Sequence, residues 1–408
     1  MLEISQEQAQ QFIIEKQLLR SKNKTENIID VVRRIHNIQI DTISVVARSH
    51  DLTIFNRLPK YQEQDVWKAI EEKKLFEFWS HGICLLPFEE FPFYRWKIDY
   101  NKQNPESYWK KWMVENKTFI EEIYKHVKKN GPTSSSDFKR ESKVIGWWDW
   151  KKEKLALEYL FSIGRVMIDF RKGFRRYYNL TENVLPASIS SESLPKENLA
   201  THLVEVVFSS LGLASSEELK TYLGKAYVNI LWNNNKKKTE EFLKECVENE
   251  TLTEIKIENV QQPHYILSKK LKELEKINFH ENDNQPMKFL SPFDNLVRER
   301  DYPSRFWNFE YKIECYVPVA QRIYGYFSLP ILDGHQLIGR TDLKVHRKEG
   351  VLEIKSLHFE SGIKLEEVLL QRFKDGLQNF ADFHNCHKFS FESIQPLKHK
   401  GKIKTLFS

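Results

Sequence analysis

Apolar residues recur along this chain at helical spacing first and at alternating spacing later, and the change falls near Met287. Three stretches before that point share one local grammar of cap, short helix, second helix, and then a basic hairpin or apolar strand. The first opens on Ser5-Gln6-Glu7-Gln8, a Ser-x-x-Gln capping box ahead of a helix carrying Ala9, Phe12 and Ile13. The second places a helix over Phe119 to Val127, a turn at Asn130-Gly131-Pro132-Thr133, and a cap at Ser134 and Asp137. The third runs a helix from His202 to Leu211, turns at Gly212-Leu213-Ala214, and caps again with Ser215 and Glu218. This recurrence is the helix-turn-helix pattern.

The second stretch predicts a further helix from Lys151 to Ser162, then two β-rich runs, Arg165 to Phe170 and Phe174 to Leu180, joined through Arg171-Lys172-Gly173. A helix-turn-helix with such a hairpin is a winged helix. Five basic residues, Arg165, Arg171, Lys172, Arg175 and Arg176, decorate the wing, where phosphates would lie. The third stretch has a comparable but acidic hairpin, Thr253 to Ile257 and Tyr265 to Leu267, joined through Gln261-Gln262-Pro263, which reads as structural. The run Asn233 to Lys238 reads as an exposed loop.

After Met287, apolar and polar residues alternate over Tyr311 to Val317, Tyr324 to Leu332, Gln336 to Val345 and Val351 to Phe359. Turns at Asp333-Gly334 and Glu349-Gly350 and one amphipathic helix, Leu365 to Phe383, complete a barrel-like antiparallel domain. The expected fold is therefore α+β. A first winged-helix unit spans 1–116, a second with a basic wing 117–195 and a third 196–270. A linker over 271–288 leads to a C-terminal antiparallel β-rich, barrel-like domain over 289–408.

Composition narrows the function classes. At 408 residues, 40% apolar and 29% charged, the chain is an ordinary globular protein too long for one core. A formal charge of +6 favours nucleic acid as partner without demonstrating it, since many lysines lie on plain helix surfaces. Cys84, Cys246, Cys315 and Cys386 are far apart, so neither a disulfide framework nor a zinc ribbon is expected. Cys386 between His384 and His387 lacks further ligands, and no metal or cofactor is expected. No stretch approaches 18 apolar residues and the N-terminus lacks a signal pattern, so a cytoplasmic protein without membrane contact is expected.

The candidate chemistry lies in Ile38-Gln39-Ile40-Asp41-Thr42-Ile43-Ser44-Val45-Val46, followed by Ala47-Arg48-Ser49-His50. An amide and a carboxylate, Gln39 and Asp41, interrupt an otherwise apolar run, and burying a carboxylate without a partner is expensive. Spacing of two puts both side chains on one side only if the backbone is extended; on a helix they diverge by about 200°. A catalytic role therefore requires a non-helical or kinked segment. The competing reading makes Asp41 the N-cap of a helix over Thr42 to Ala47 with Gln39 merely packed.

Ile38-Gln39-Ile40-Asp41 with Arg48-Ser49-His50 resembles the AlkX/AlkZ-like (YcaQ-like) winged-helix bacterial DNA glycosylases, which repair alkylated bases and interstrand crosslinks. Further matches follow in order: Phe76 to His81 with Leu85-Leu86-Pro87; Gly146-Trp147-Trp148-Asp149-Trp150-Lys151; Leu290 to Val297; and Tyr324-Gly325-Tyr326 through Gly339 to Lys344. Each is weak alone, but together they carry the family's order over roughly residues 5 to 390. In that family a Gln, an apolar residue, then Gln or Asp is the catalytic signature, so the resemblance implies that Gln39 and Asp41 are catalytic. The Asp version resembles the branch acting on crosslinks as well as simple adducts. Gly82 stands where many relatives carry Glu after the histidine matching His81, which bears on the lesion range.

The implied activity is a monofunctional, cofactor-free glycosylase that hydrolyses the N-glycosidic bond of N7-alkylated purines and leaves an abasic site. Its partner would be double-stranded DNA carrying alkylated bases or crosslinks, bound by a monomer in the nucleoid. Arg48, His50, Arg171, Lys172, Arg175 and Arg176 are the candidate DNA contacts, and Trp79 and His81 the candidate pocket wall. Local helix-end contacts compete for Arg48 and His50, and a core position competes for His81. Asp294 and Asp342 are expected to fix turns and strand ends. The rivals are a non-enzymatic winged-helix regulator, to which Gln39 and Asp41 would be dispensable, and a metal-dependent nuclease, which would need a carboxylate cluster.

Overall fold

A computed structural model describes residues 2–20, 25–105, 107–138, 152–277 and 285–407. The match at Gly146 to Lys151 lies outside them. The described chain forms two compact units. One joins residues 1–61, 207–222 and 241–408; the other joins 62–206 and 223–240.

The first unit begins with a short strand, Leu2–Ile4, and helix α1, Gln6–Lys16. The capping box forms as read: Ser5 Oγ accepts from Gln8 N while the Gln8 side chain accepts from Ser5 N. Leu2–Ile4 pairs in parallel with Leu252–Ile257, which pairs antiparallel with Val260–Leu267. That hairpin turns at Glu258-Asn259, with Asn259 at φ 62°, rather than at Gln261-Gln262-Pro263. Asparagine tolerates the left-handed conformation such a tight turn needs, so pairing extends past the proline. Helices α2, Ile28–Ile35, and α3, Ser49–Phe55, flank the Gln39 to Asp41 segment.

The C-terminal part is a five-stranded sheet in the order 388–395, 351–359, 336–346, 328–333, 288–289. It is a mixed, open sheet rather than the antiparallel, barrel-like closure expected. Val351–Phe359 and Lys388–Gln395 run parallel, because helix Glu367–Phe383 provides the crossover that a parallel neighbour requires. Among the described residues the first and last strands in that order do not pair with each other, which leaves the sheet open. Tyr311 to Val317, expected as a strand, contains none. Leu370, Phe373, Leu377, Phe380 and Ala381 face the sheet and join one apolar core with Phe289, Leu329, Ile331 and Ile354. Val46, Ala47 and Leu52 enter that same core from the segment around α3. Gly376 allows close approach there, since a Cβ would lie 2.5 Å from Met287 O.

The second unit is built on aromatic packing. Phe76 meets Phe88, Phe91 and Tyr94; Phe78 meets Phe161; Phe93 stacks on Tyr227 at 4.3 Å. Its hairpins are Leu75–Trp79 with Ile83–Pro87 and Val166–Lys172 with Arg175–Leu180. Helices Lys117–Asn130 and Lys152–Ser162 precede the second hairpin, and Thr133 bridges Tyr178. The Asn233 to Lys238 run is not all loop: Lys236 starts helix Lys236–Glu248. Among the described residues no helix is long and apolar enough to cross a membrane.

Candidate active site

Helix α2 is capped by Asn27, whose side chain accepts from Ile29 N at 2.9 Å and Asp30 N at 3.1 Å. Ile28, Val31, Val32 and Ile35 form its buried face. It stops at His36, and Ile38–Gln39 is extended. Ile38 and Ile40 are buried whereas Gln39 and Asp41 are half-buried. This alternation puts the amide and the carboxylate on one side of the chain, as a catalytic pair requires. Asp41 caps no helix over Thr42 to Ala47, which is irregular. Its Oδ1 instead accepts from Ile43 N at 2.7 Å, an Asx-turn that holds the carboxylate in place. Arg48 Nη1 donates to Thr42 O at 3.2 Å, closing the loop before α3.

The C-terminal residues bracket this segment. Asn295 Nδ2 donates to Asn37 O at 2.8 Å and Ile35 O at 3.0 Å, just ahead of Gln39. Ser49 and Ser291 share a hydroxyl hydrogen bond at 2.9 Å. Asn56 Nδ2 donates to Phe289 O, and Lys288 Nζ donates to Asn56 O. Burial, opposed only partly by Asp294, pushes the Lys288 ammonium down to about 8. Arg57 pairs with Asp294 beyond the end of α3. Asp294 therefore does more than fix a turn: it holds the helix that follows the candidate pair. The run Leu290-Ser291-Pro292-Phe293-Asp294-Asn295 works as a cradle for residues 35 to 57.

Beside Asp41 lies a loop, Tyr311 to Val317, whose alternation predicts a strand that does not form. Burial, then the charge of Asp41, raises the Cys315 thiol. Tyr316 is raised by Cys315 first, with burial and Asp41 adding to it. The loop is folded back by Glu314, whose Oε2 accepts from Ile323 N, Tyr324 N and Gly325 N at 2.9–3.1 Å. Asp342 Oδ2 accepts from Tyr326 N at 2.9 Å, a strand-end role matching its expectation. At the loop surface Tyr316 is 86% exposed, Val319 75% and Ile323 70%. Singly exposed apolar side chains are ordinary; three on one short loop next to a half-buried carboxylate are not. No sequence signal separated this loop from an alternating strand.

The predicted DNA contacts fall into two groups. Arg48 is half-buried, and Lys172 and Arg175 are exposed and unpaired among the described residues. His50 is fully buried in the first turn of α3, 3.6 Å from Asp51. Arg171 is nearly buried and donates from both Nε and Nη2 to Glu77 at 2.6 Å. Arg176 donates to Glu158 at 2.6 Å. These two guanidiniums brace the hairpin within its own unit. Trp79 is 39% exposed at the end of its strand, and His81 Nδ1 lies 3.8 Å from Cys84 Sγ. Nearby, Lys97 Nζ donates to Ser80 O at 2.6 Å, and burial pushes that ammonium down to about 8. Among the described residues no three His, Cys, Asp or Glu side chains are grouped to hold a metal.

Fold and site together define a mixed α+β protein with an amide and a carboxylate two residues apart on a non-helical segment held by the Leu290 to Asn295 run, an arrangement suited to activating water beside an electrophilic carbon. The family model for AlkZ-like DNA glycosylases matches residues 32–383, and the chain belongs to that family of DNA-binding repair enzymes. Its fold is similar to that of the Streptomyces sahachiroi DNA glycosylase AlkZ, with a TM-score of 0.65 at 15% sequence identity. That likeness covers 96% of this chain and all of the other.

Proposed function

We propose that the chain is a monofunctional DNA glycosylase for cationic N7-alkylpurines, working through Gln39 and Asp41 on double-stranded DNA as a monomer in the cytoplasm. The observation that supports this reading is that Gln39 and Asp41 are half-buried beside buried Ile38 and Ile40, on a segment that is strand at Ile38–Gln39 and non-helical through Asp41. Alkylation at N7 leaves the base positively charged, so it departs without protonation. Asp41 stabilises the developing oxocarbenium character of the sugar and takes a proton from water as that water attacks the anomeric carbon. The glycosidic bond breaks with its electron pair on the base, which leaves neutral. Gln39 orients the water, donating to one partner and accepting from another. The products are an abasic site and the alkylated base, with no lysine adduct and no strand cleavage. A crosslink tethered through two N7 atoms presents the same leaving group at each end, which extends the reading to unhooking.

In this reading the three capped helix–hairpin segments are winged-helix units. Arg48, Lys172 and Arg175 carry phosphate contacts. Tyr316 is an aromatic candidate for contact with bases, and Trp79 and His81 are separately candidates for the pocket wall.

The test is incubation with a duplex carrying one N7-methylguanine, in EDTA, followed by alkaline scission. The expected result is an abasic site with the wild type and none with Asp41→Asn, which still binds the DNA. Full activity of Asp41→Asn would overturn the assignment. Tight binding to intact DNA with no product from either protein would favour a regulator.

A further inference from the structure

His36, three residues before Gln39, sits at φ 62° and ψ −40°, and Asn37 N donates to Ile35 O at 2.7 Å across it. This is a γ-turn of the hand that side chains rarely adopt, and it is strained. The local sequence does not ask for it. Ile28, Val31, Ile35 and Ile38 continue the apolar spacing of α2 beyond the turn, a spacing whose preference is continued helix even though Ile38-Gln39-Ile40 alternates like a strand. A helix through Gln39 to Asp41 would turn the two side chains to opposite sides.

What opposes that preference comes from far along the chain. Asn295 Nδ2 donates to the two carbonyls that flank the turn, Ile35 O at 3.0 Å and Asn37 O at 2.8 Å. Tyr222 Oη donates to Ile35 O at 2.7 Å and lies 2.9 Å from Asn295 Nδ2. His36, Asn37, Tyr222 and Asn295 are all buried. With Ile35 O and Asn37 O both engaged this way, the last turn of α2 cannot extend its ladder.

We propose that Asn295, assisted by Tyr222, is a positioning residue that locks the strained His36 turn and so presents Gln39 and Asp41 together. Its catalytic consequence rests on the glycosylase reading; its structural consequence does not. Strain held by distant groups is how a fold fixes a reactive segment more firmly than local preference allows.

The test uses the full chain with Asn295→Ala, read by hydrogen exchange of the amides over residues 36 to 43 and by single-turnover base excision. The expected result is lost protection confined to that segment and excision slowed by about 100-fold with lesion-duplex binding retained, as slight misplacement of reacting groups produces. Adding His36→Gly restores most of the excision, because glycine takes a positive φ without the side-chain cost. A residue that merely stabilised the unit would not be rescued that way. If Asn295→Ala fails to fold, Tyr222→Phe, which removes only the hydroxyl, shows the same localised exchange and a smaller loss of rate.

Unchanged protection at 36 to 43, or loss spread evenly over the unit, overturns the proposal, as does absence of rescue by His36→Gly. A localised exchange response in a chain whose wild type removes no base leaves the positioning role standing and fells the glycosylase reading instead.

Discussion

Arg57 and Asp294 form a two-pronged ion pair with neither side chain exposed: Nη1 lies 2.6 Å from Oδ2 and Nη2 2.9 Å from Oδ1. Arg57 also donates to Gln17 O and Thr53 O, so removing its carboxylate partner strands a buried cation in a spent network. Asp294→Ala is expected to lower stability by about 3–5 kcal/mol. Urea unfolding checks this, and a loss within error of zero would show that the cradle around α3 does not depend on the pair.

Acid should weaken the C-terminal core through His384. Its ring packs edge-on against Phe380 and Phe383, and burial, helped by Arg347, pushes it down to about 4. The unfolded chain takes up this proton near pH 6.5, before the folded state does. The contribution is thus complete above that pH and lost as pH falls toward 4, at most on the order of 3 kcal/mol. His384→Phe should flatten the stability profile across that window, and an unchanged slope would clear His384 of the effect.

Tyr316 gives a binding prediction. Stacking of a base on an exposed ring is worth about 1–3 kcal/mol, so Tyr316→Ala should weaken lesion-duplex affinity by roughly 5- to 150-fold. Tyr316→Phe keeps the ring and should bind as the wild type does. Fluorescence anisotropy distinguishes the three; equal affinities would remove the loop from the interface.

The wing should divide by function. Lys172→Ala and Arg175→Ala each remove an exposed cation, and each should reduce the slope of log affinity against log salt by about 0.9 without altering stability. Arg171→Ala removes instead the partner of buried Glu77 and should unfold more readily. A salt slope unchanged in the first two variants would place the phosphates elsewhere.

Much of this was legible beforehand because it is local. Capping at Ser5 and Ser215 follows from side chains reaching their own backbone, and the hairpin at Arg171 to Arg176 from a β-rich pattern around a turn. The non-helical backbone at Gln39 was required by the spacing of two chemically useful side chains. What escaped was set by partners remote in sequence. Arg171 and Arg176 read as basic decoration because nothing nearby announces Glu77 or Glu158. Tyr311 to Val317 alternates like a strand, yet the carboxylate of Glu314 ties the chain back on itself through Ile323 to Gly325. The parallel strand at 388–395 needed knowledge of where helix Glu367–Phe383 docks.

The cradle around the candidate pair also sets a timetable for the newborn chain. Arg57 leaves the ribosome 237 residues ahead of Asp294. At synthesis rates of 5–20 residues per second the interval is roughly 12 to 47 s. Throughout it, residues 35 to 57 exist without these distant partners, and a molecule cut short before Asn295 carries Gln39 and Asp41 on a segment that lacks the bonds from Asn295 to Ile35 and Asn37. The arrangement of residues 35 to 57 is therefore completed only once the Ser291 to Asn295 run has been made.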